Sequence, residues 1–526
     1  MLRRSSLALM FLLLGLAFTW AQDNSNAVGS ETSSVTLKAT THMVVLDVVV
    51  TNSNGRHAKD LQSDDFTVTE DGVTQKVVSF QFSGTGGSAA KKENGAPAEE
   101  VASGTPRTIL VLDELDTEWL LTAQARWYLN RYFAGHGPRL EQPTALLALT
   151  NEGLEMLCNY THDARTLSAA LNRHKTALPY HVMNAEGVQG GFDRLGIAMT
   201  ALYQIAQAST DRHSRKNLVW IGEGFPVING ATSSTLGSAV VRGGTIDSAT
   251  EAKARQMVQR LANSMLEARI SVYTVDPVGL IYTPNLNDPR ILTTTGDLIF
   301  ENIAPETGGK IFRNINNVSF LVDKSVNDGS AYYTLAYYPN NKDWDGKFRH
   351  ISVTVKRPGL AARTRLGYYA LADPEETPDS QIDLALSIAV RNPVPYTLIP
   401  ITLSAKRLDS PTHASELTVS LDRSALYWTK LPNGDLRAEI TLVTASLRDD
   451  NRVLKYKVHE FESVVSRQKA ASLRNVPLMF KVQAEVPPKS VRIRCIVRDA
   501  QNEHMGTADL ASNELRSMVK ARASTE

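Results

Sequence analysis

Three carboxylates close three apolar runs of this chain, at positions where a sheet would present them to a ligand. RTILVLDELDT (Arg107–Thr117) is an aliphatic run ending in Asp113, NLVWIGEG (Asn217–Gly224) ends in Glu223, and RISVYTVDP (Arg269–Pro277) ends in Asp276. Four consecutive aliphatic residues, Ile109 to Leu112, suit a strand buried on both faces, as in a parallel sheet. A carboxylate at the C-terminal end of such a strand lies on the rim where open α/β sheets bind ligands. Three of them on one rim are the layout of a cation-assisted site. Glu114, Asp116 and Glu118 crowd the turn after Asp113. They read either as an electronegative rim for a cation or a basic partner, or as helix N-terminal acids stabilised by about 0.3–1 kcal/mol each. Glu118 takes the second reading, Asp116 stays open, and Asp276 before Pro277 reads equally as a cap or turn.

Alternating strand and helix patterns must position these groups. PTALLALT (Pro143–Thr150) is a second buried strand, and LEMLCNY (Leu154–Tyr160), beyond the turn Asn151-Glu152-Gly153, is an antiparallel edge neighbour. Helices follow at 163–172, which Asp163 caps, at 195–209 and at 251–268, each with an apolar stripe. Lys310–Asn314 is the last strand. The pattern predicts a doubly wound, mostly parallel α/β sheet with helices on both sides. Nucleotide and hydrolase signatures are missing: there is no G-x-G-x-x-G after the first strand, no phosphate loop, no G-x-S-x-G and no H-E-x-x-H. His174 and His181 lack metal-ligand spacing and read as solvated loop residues.

The chain has 526 residues, enough for about three domains. With 56 basic against 55 acidic residues it carries no nucleic-acid footprint. Arg3 and Arg4 precede an apolar stretch, Leu7–Phe18, and then Thr19-Trp20-Ala21 with small residues at the −3 and −1 positions. Residues 1–21 are expected to be a cleaved signal peptide, the run being too short for a bilayer span. The mature chain would then be exported, periplasmic or extracellular. Cys158 and Cys495 read as separate buried thiols.

Strand patterns flank the α/β segment. Residues 35–82 contain an alternating run at Val44–Thr51 and a hairpin signal, Asp65–Glu70 meeting Val73–Phe82 across Asp71-Gly72. Residues 330–370 hold three more strands, with Tyr332, Tyr333, Tyr337 and Tyr338 read as core and rim. Neither set buries a sheet face alone, so pairing them would make one split β-domain. Residues 83–106 are a Gly- and Ala-rich linker, and 229–250 form a similar stretch on the rim, a lid or recognition loop or an insertion without a role. From 380 to 512 six alternating runs, IDLALSIAVRN (Ile382–Asn392) the first, predict an immunoglobulin-like β-sandwich. Glu460–Arg474 reads as a polar helix or loop within it, and 513–526 as a tail.

The order of elements, the Asp ending the first strand, the antiparallel edge and the Gly-flanked acid of GEG resemble a von Willebrand factor type A domain. VVLDVVVTNSNGRHAKDLQSDDFTVTEDGVTQKVVSF (Val44–Phe80), RKNLVWIGEGFP (Arg215–Pro226), ISVYTVDPVGL (Ile270–Leu280), TGGKIFRN (Thr307–Asn314) and YYTLAYYPNNKDWDGKFRHISVTVKRPG (Tyr332–Gly359) resemble, in order, the VWFA-related proteins of the Acidobacteria type. The resemblance implies a Rossmann-like type A domain over 107–328, inserted in the split β-sandwich. Adhesive type A domains hold Mg²⁺ through D-x-S-x-S, a Thr and a further Asp, and leave one position for a partner's carboxylate. Carried over, the first Asp is Asp113, the second hydroxyl is Thr117 and the third-loop acid is Glu223, while Leu115 replaces the first hydroxyl. The expectation is a degenerate site, metal-free or binding Mg²⁺ or Ca²⁺ weakly through Asp113, Thr117 and Glu223, on a rim completed by Asp116 and Asp276. The function expected is an exported, non-catalytic protein-binding or adhesion module for an unidentified protein partner. The alternatives are a structural envelope component with a vestigial rim and a hydrolase using the rim carboxylates.

Overall fold

The central sheet has six strands. The computed structural model describes residues 43–84, 106–180, 188–209, 214–222, 260–277, 303–312, 317–371, 379–407, 414–449, 451–473 and 476–511, all within one unit. Four strands precede the sheet: β1 (Val44–Asn52), β2 (Phe66–Glu70), β3 (Val73–Gln75) and β4 (Val77–Gly84). The sheet itself is built from β5 (Arg107–Asp113), β6 (Arg139–Thr150), β7 (Gly153–Asp163), β8 (Lys216–Ile221), β9 (Ile270–Val275) and β10 (Ile311–Phe312). Their order is β10-β9-β8-β5-β6-β7, parallel throughout except for the β6–β7 hairpin. Every residue of β8 and β9 is buried, so the side chains of both faces need cover. On one face α1 (Trp119–Gly135), α2 (Ala164–Arg173) and α4 (Val318–Asp328) pack on Leu110, Leu112, Val219 and Tyr273. On the other, α3 (Val188–Ala208) and helical residues 260–267 pack on Ile109, Val111, Trp220 and Val272. Asp163 caps α2 by accepting from Arg165 N at 2.9 Å, as its sequence position suggests.

The strands before and after this segment share two sheets. With β11 (Ala331–Tyr337), β12 (Phe348–Val355), β13 (Leu360–Arg363) and β14 (Gly367–Tyr369), the orders are β13-β1-β11-β4 and β14-β12-β2-β3. Asp71 (φ 47°) and Gly72 (φ 81°) are both left-handed, the geometry of a tight hairpin turn. The hairpin closes only as far as Gln75; from Val77 the chain crosses to the other sheet and pairs with β11. Tyr333 and Tyr337 fill the space between the sheets, whereas Tyr332 turns toward the central sheet and accepts from Arg215 N at 3.2 Å.

That junction is ionic and buried. Arg269 pairs with Asp47 of β1 and donates to Thr334 Oγ1 of β11 at 2.8 Å. Arg215, itself buried, donates to the Tyr273 hydroxyl at 3.1 Å; that hydroxyl donates to Asp328 at 2.8 Å, and Asp328 also holds Lys310 and Arg363. The Arg215 and Arg269 guanidinia lie 5.7 and 5.9 Å from the Tyr332 ring centroid.

The C-terminal part departs from expectation at two elements. IDLALSIAVRN is not a strand but most of α5 (Asp379–Arg391), because its buried residues Leu386, Ala389 and Val390 follow helical spacing. This helix shares one apolar cluster with Leu202 of α3 and with Val443 and Leu447. The segment Glu460–Arg474, read as a polar helix or loop, divides: Glu460–Val465 ends a strand, β19 (Val453–Val465), paired along twelve residues of β18 (Leu436–Leu447), and Arg467–Leu473 is the helix α6. One sheet is β15 (Ile401–Arg407), β16 (Ala414–Leu421) and β20 (Leu478–Glu485). The other is β17 (Thr429–Lys430), β18, β21 (Arg492–Asp499) and β22 (Met505–Ala511), with β19 on the outer side of β18. Cys495 is buried between them, Cys158 is half-buried on β7, and both are free thiols.

In a chain lacking residues 43–84, β11 loses both its sheet neighbours and β12 loses β2. Limited proteolysis should then cut within 331–369, while the 107–222 fragment resists. Protection of 331–369 in that truncation contradicts the shared sheets.

Candidate functional site

The first strand end is sealed rather than open. Asp113 has no exposure to water. Its Oδ1 accepts from Leu115 N at 3.0 Å and Asp116 N at 3.2 Å, and its Oδ2 accepts from Trp220 Nε1 at 3.1 Å. The aspartate therefore caps a tight local turn, not α1, which starts six residues later. Gly222 lies directly over it: a Cβ there would come within 2.6 Å of both Asp113 Cβ and Thr117 Oγ1. Burial, and after it the charge of Asp116, push the Asp113 carboxyl up to about 8, against the pull of its three N–H donors. The site therefore favours the protonated carboxyl.

Glu114, expected on an electronegative rim, is fully buried too. Its Oε2 accepts from Ala177 N at 2.8 Å and from His174 Nε2 at 3.0 Å, and its Oε1 lies 3.7 Å from Arg126 Nη1. His174 is thus no solvated loop histidine: its side chain is 5 % exposed and its Nδ1 approaches Glu155 at 3.5 Å. Arg126 also donates to the carbonyls of Leu171 and His174, and Tyr180 N donates to Leu115 O at 2.8 Å. These bonds tie residues 174–180 across the end of β5. His181 lies outside the described residues.

Asp116 reaches the surface and pairs with Arg194 of α3 at 3.1 Å. Arg194 lies 6.0 Å from the Tyr180 ring, whose hydroxyl donates to Asp193 at 2.9 Å. Glu118 stands at the N-cap position of α1 without a side-chain capping bond, and Trp119 beside it is 60 % exposed. Thr117 is buried under Gly222. Asp276 follows β9 and donates its N–H to Phe312 O at 3.0 Å, while Pro277 O accepts from Gln124 of α1 at 3.3 Å. With β8 between β9 and β5, Asp276 stands two strand spacings, about 10 Å, from Asp113. The structure thus gathers Asp113, Thr117 and Asp116 in one turn and sets Asp276 apart. Glu223 and the 229–250 stretch lie outside the described residues.

The cation implied by the family resemblance does not fit the described donors. Both Asp113 oxygens already accept N–H bonds, and Gly222 closes over them with Thr117 beneath it. Leu115 has no side-chain oxygen, and its carbonyl takes the Tyr180 N–H. Among the described residues no three His, Cys, Asp or Glu side chains gather at metal-binding distance.

Sequence reasoning missed Trp220, His174, Tyr180 and Arg194 as parts of this arrangement. Trp220 lay inside an apolar run with nothing local to mark its N–H, and His174 meets its partner Glu114 from 60 residues away.

No family model matches the chain, and no curated protein matches it. Similar solved structures include the VWA domain of SpRpn10, 11% identical, with TM-score 0.16 over 35% of this chain and 93% of that one. The N-terminal domain of TFIIH p34 is 13% identical, with TM-score 0.21 over 44% of this chain and 100% of that one. The human COPII-coat protein Sec24c is 9% identical, with TM-score 0.22 over 51% of this chain and 44% of that one.

The Asp113 carboxyl makes stability depend on pH. Its folded value, about 8, exceeds the ordinary 3.8, so the native state binds the extra proton and stability declines as pH rises from about 4 to about 8. Denaturant titrations across that range should show a loss on the order of a few kcal/mol, and Asp113→Asn should remove most of it. Because the new amide turns a donor toward Trp220, that variant should also lose about 1 kcal/mol at pH 4. An unchanged pH slope contradicts the neutral carboxyl. At the neighbouring carboxylate, Glu114→Leu should speed amide exchange at Ala177 at least tenfold, through loss of its acceptor; unchanged exchange there contradicts the strap.

Proposed function

We propose that the chain is a non-catalytic protein-binding module, exported from the cytoplasm, that meets its partner with the C-terminal rim of a type A-like domain. In this reading the doubly wound domain interrupts a β-sandwich and is followed by an immunoglobulin-like sandwich. The supporting observation is the division of labour on the rim. Asp113 and Glu114 are buried and spent on internal hydrogen bonds, while Trp119 and the Asp116–Arg194 pair reach the surface. Trp and Arg are residue types that dominate protein–protein binding energy, and here Trp119 is exposed and Arg194 partly so. Acid–base work needs a carboxyl in reach of substrate with a matched partner, and Asp113 has neither water access nor Asp276 nearby. Recognition on this rim would rest on an aromatic anchor and an Arg–Asp pair in place of a cation.

The test is crosslinking of the purified chain to proteins of its own envelope and medium, comparing wild type with Trp119→Ala and Arg194→Glu. A discrete adduct that both substitutions weaken about tenfold or more supports the reading. Adducts untouched by both, or hydrolytic turnover abolished by Asp113→Asn, overturn it. N-terminal sequencing of exported chain should begin at Gln22; retention of residues 1–21 contradicts export by cleavage.

A further inference from the structure

The outer face of α1 is apolar where a solvent-facing helix is ordinarily polar. The helix turns Thr122, Ala125, Leu129, Tyr132 and Phe133 inward. Opposite them runs an exposed stripe at helical spacing: Leu120, Ala123, Trp127, Arg131 and Ala134. Leu120 is 68 % and Trp127 54 % exposed, and the Arg131 guanidinium sits 4.9 Å from the Trp127 ring centroid. We propose that this stripe is the contact between two copies of the chain, which dimerise through antiparallel packing of α1 on α1.

The stripe complements itself when turned end for end about Trp127. Leu120 then falls opposite Ala134, and Arg131 opposite Ala123, so that on either side of the central Trp127 pair a large side chain meets a small one. The two Trp127 indoles meet on the axis, each covered on its other side by its own Arg131, an arrangement that strengthens as water leaves. Antiparallel helices also set their dipoles in opposition. A contact spanning the five positions, ~21 Å of helix, buries on the order of 1,000 Å², below the ~1,200 Å² of standard stable interfaces. The dimer is therefore weak and concentration-dependent. It does not use Trp119, Asp116 or Arg194, so it stands or falls apart from the rim reading.

Sedimentation velocity of the full chain over roughly a hundredfold concentration range reads the association directly. The expected result is a shift from monomer toward dimer that Trp127→Glu and Ala123→Glu each weaken at least tenfold. Near-UV circular dichroism reports whether each variant keeps its fold; if Trp127→Glu does not, Ala123→Glu at its exposed small position decides alone. A wild type that stays monomeric throughout, or a dimer untouched by the folded variant, overturns the proposal. So does a monomeric chain that binds phosphatidylcholine–phosphatidylglycerol vesicles through Trp127, which would make the stripe a membrane contact.

Discussion

A carboxyl group placed where water cannot reach must be satisfied from within, and at Asp113 this constraint organises the top of the central sheet. Two backbone N–H groups and the Trp220 indole supply the partners, and Gly222 supplies the clearance. Any side chain at 222 would drive β8 away from the turn that carries Thr117. Trp220 in turn needs the core formed by Met199, Leu202 and Met265, so the polar turn and the apolar face beneath it form together. Glu114 repeats the principle one residue on, drawing His174, Ala177 and Arg126 to itself. The turn is thereby held from underneath, with the Asp116–Arg194 pair above it.

A second buried constraint lies at the opposite end of the sheet. Arg215 and Arg269, the residues just before β8 and β9, and Arg363 of β13 enter the junction, and Asp47 and Asp328 answer them. Removing one partner of such a pair leaves a buried charge without compensation, a loss of about 3–5 kcal/mol. Arg365 is buried nearby: burial lowers it to about 10 against the pull of Asp47, and its guanidinium donates to the carbonyls of Gly367 and Ala262. These ion pairs and hydrogen bonds tie β1, β11 and β13 to the residues that open β8 and β9.

The parts legible in the sequence were those with a strong local pattern. β5, β8 and β9 announce themselves as aliphatic runs because both faces of a covered parallel sheet are apolar, and Asp71-Gly72 gives its turn because few residues accept two left-handed conformations. The α5 helix misled because Ile382, Leu384, Leu386 and Ile388 alternate like a strand, while the residues that matter for packing recur at three and four. β19 was hidden by Lys455, Lys457, Glu460 and Glu462, since an edge strand with both faces half in water carries no apolar period. The site was legible only in outline. Asp113 and Asp116 were found from position, but whether a strand-end acid is a ligand or a buried node depends on Trp220 and Gly222, more than a hundred residues away.

Calorimetric titration of the chain at neutral pH with Mg²⁺, Mn²⁺ and Ca²⁺ in turn asks most directly whether Asp113 is a structural node. If its oxygens are committed to Leu115, Asp116 and Trp220 and its proton is retained, no saturable heat appears with any of the three cations. A saturable heat that Asp113→Asn abolishes in a variant that still folds shows instead that the carboxyl opens to a cation, and contradicts the account.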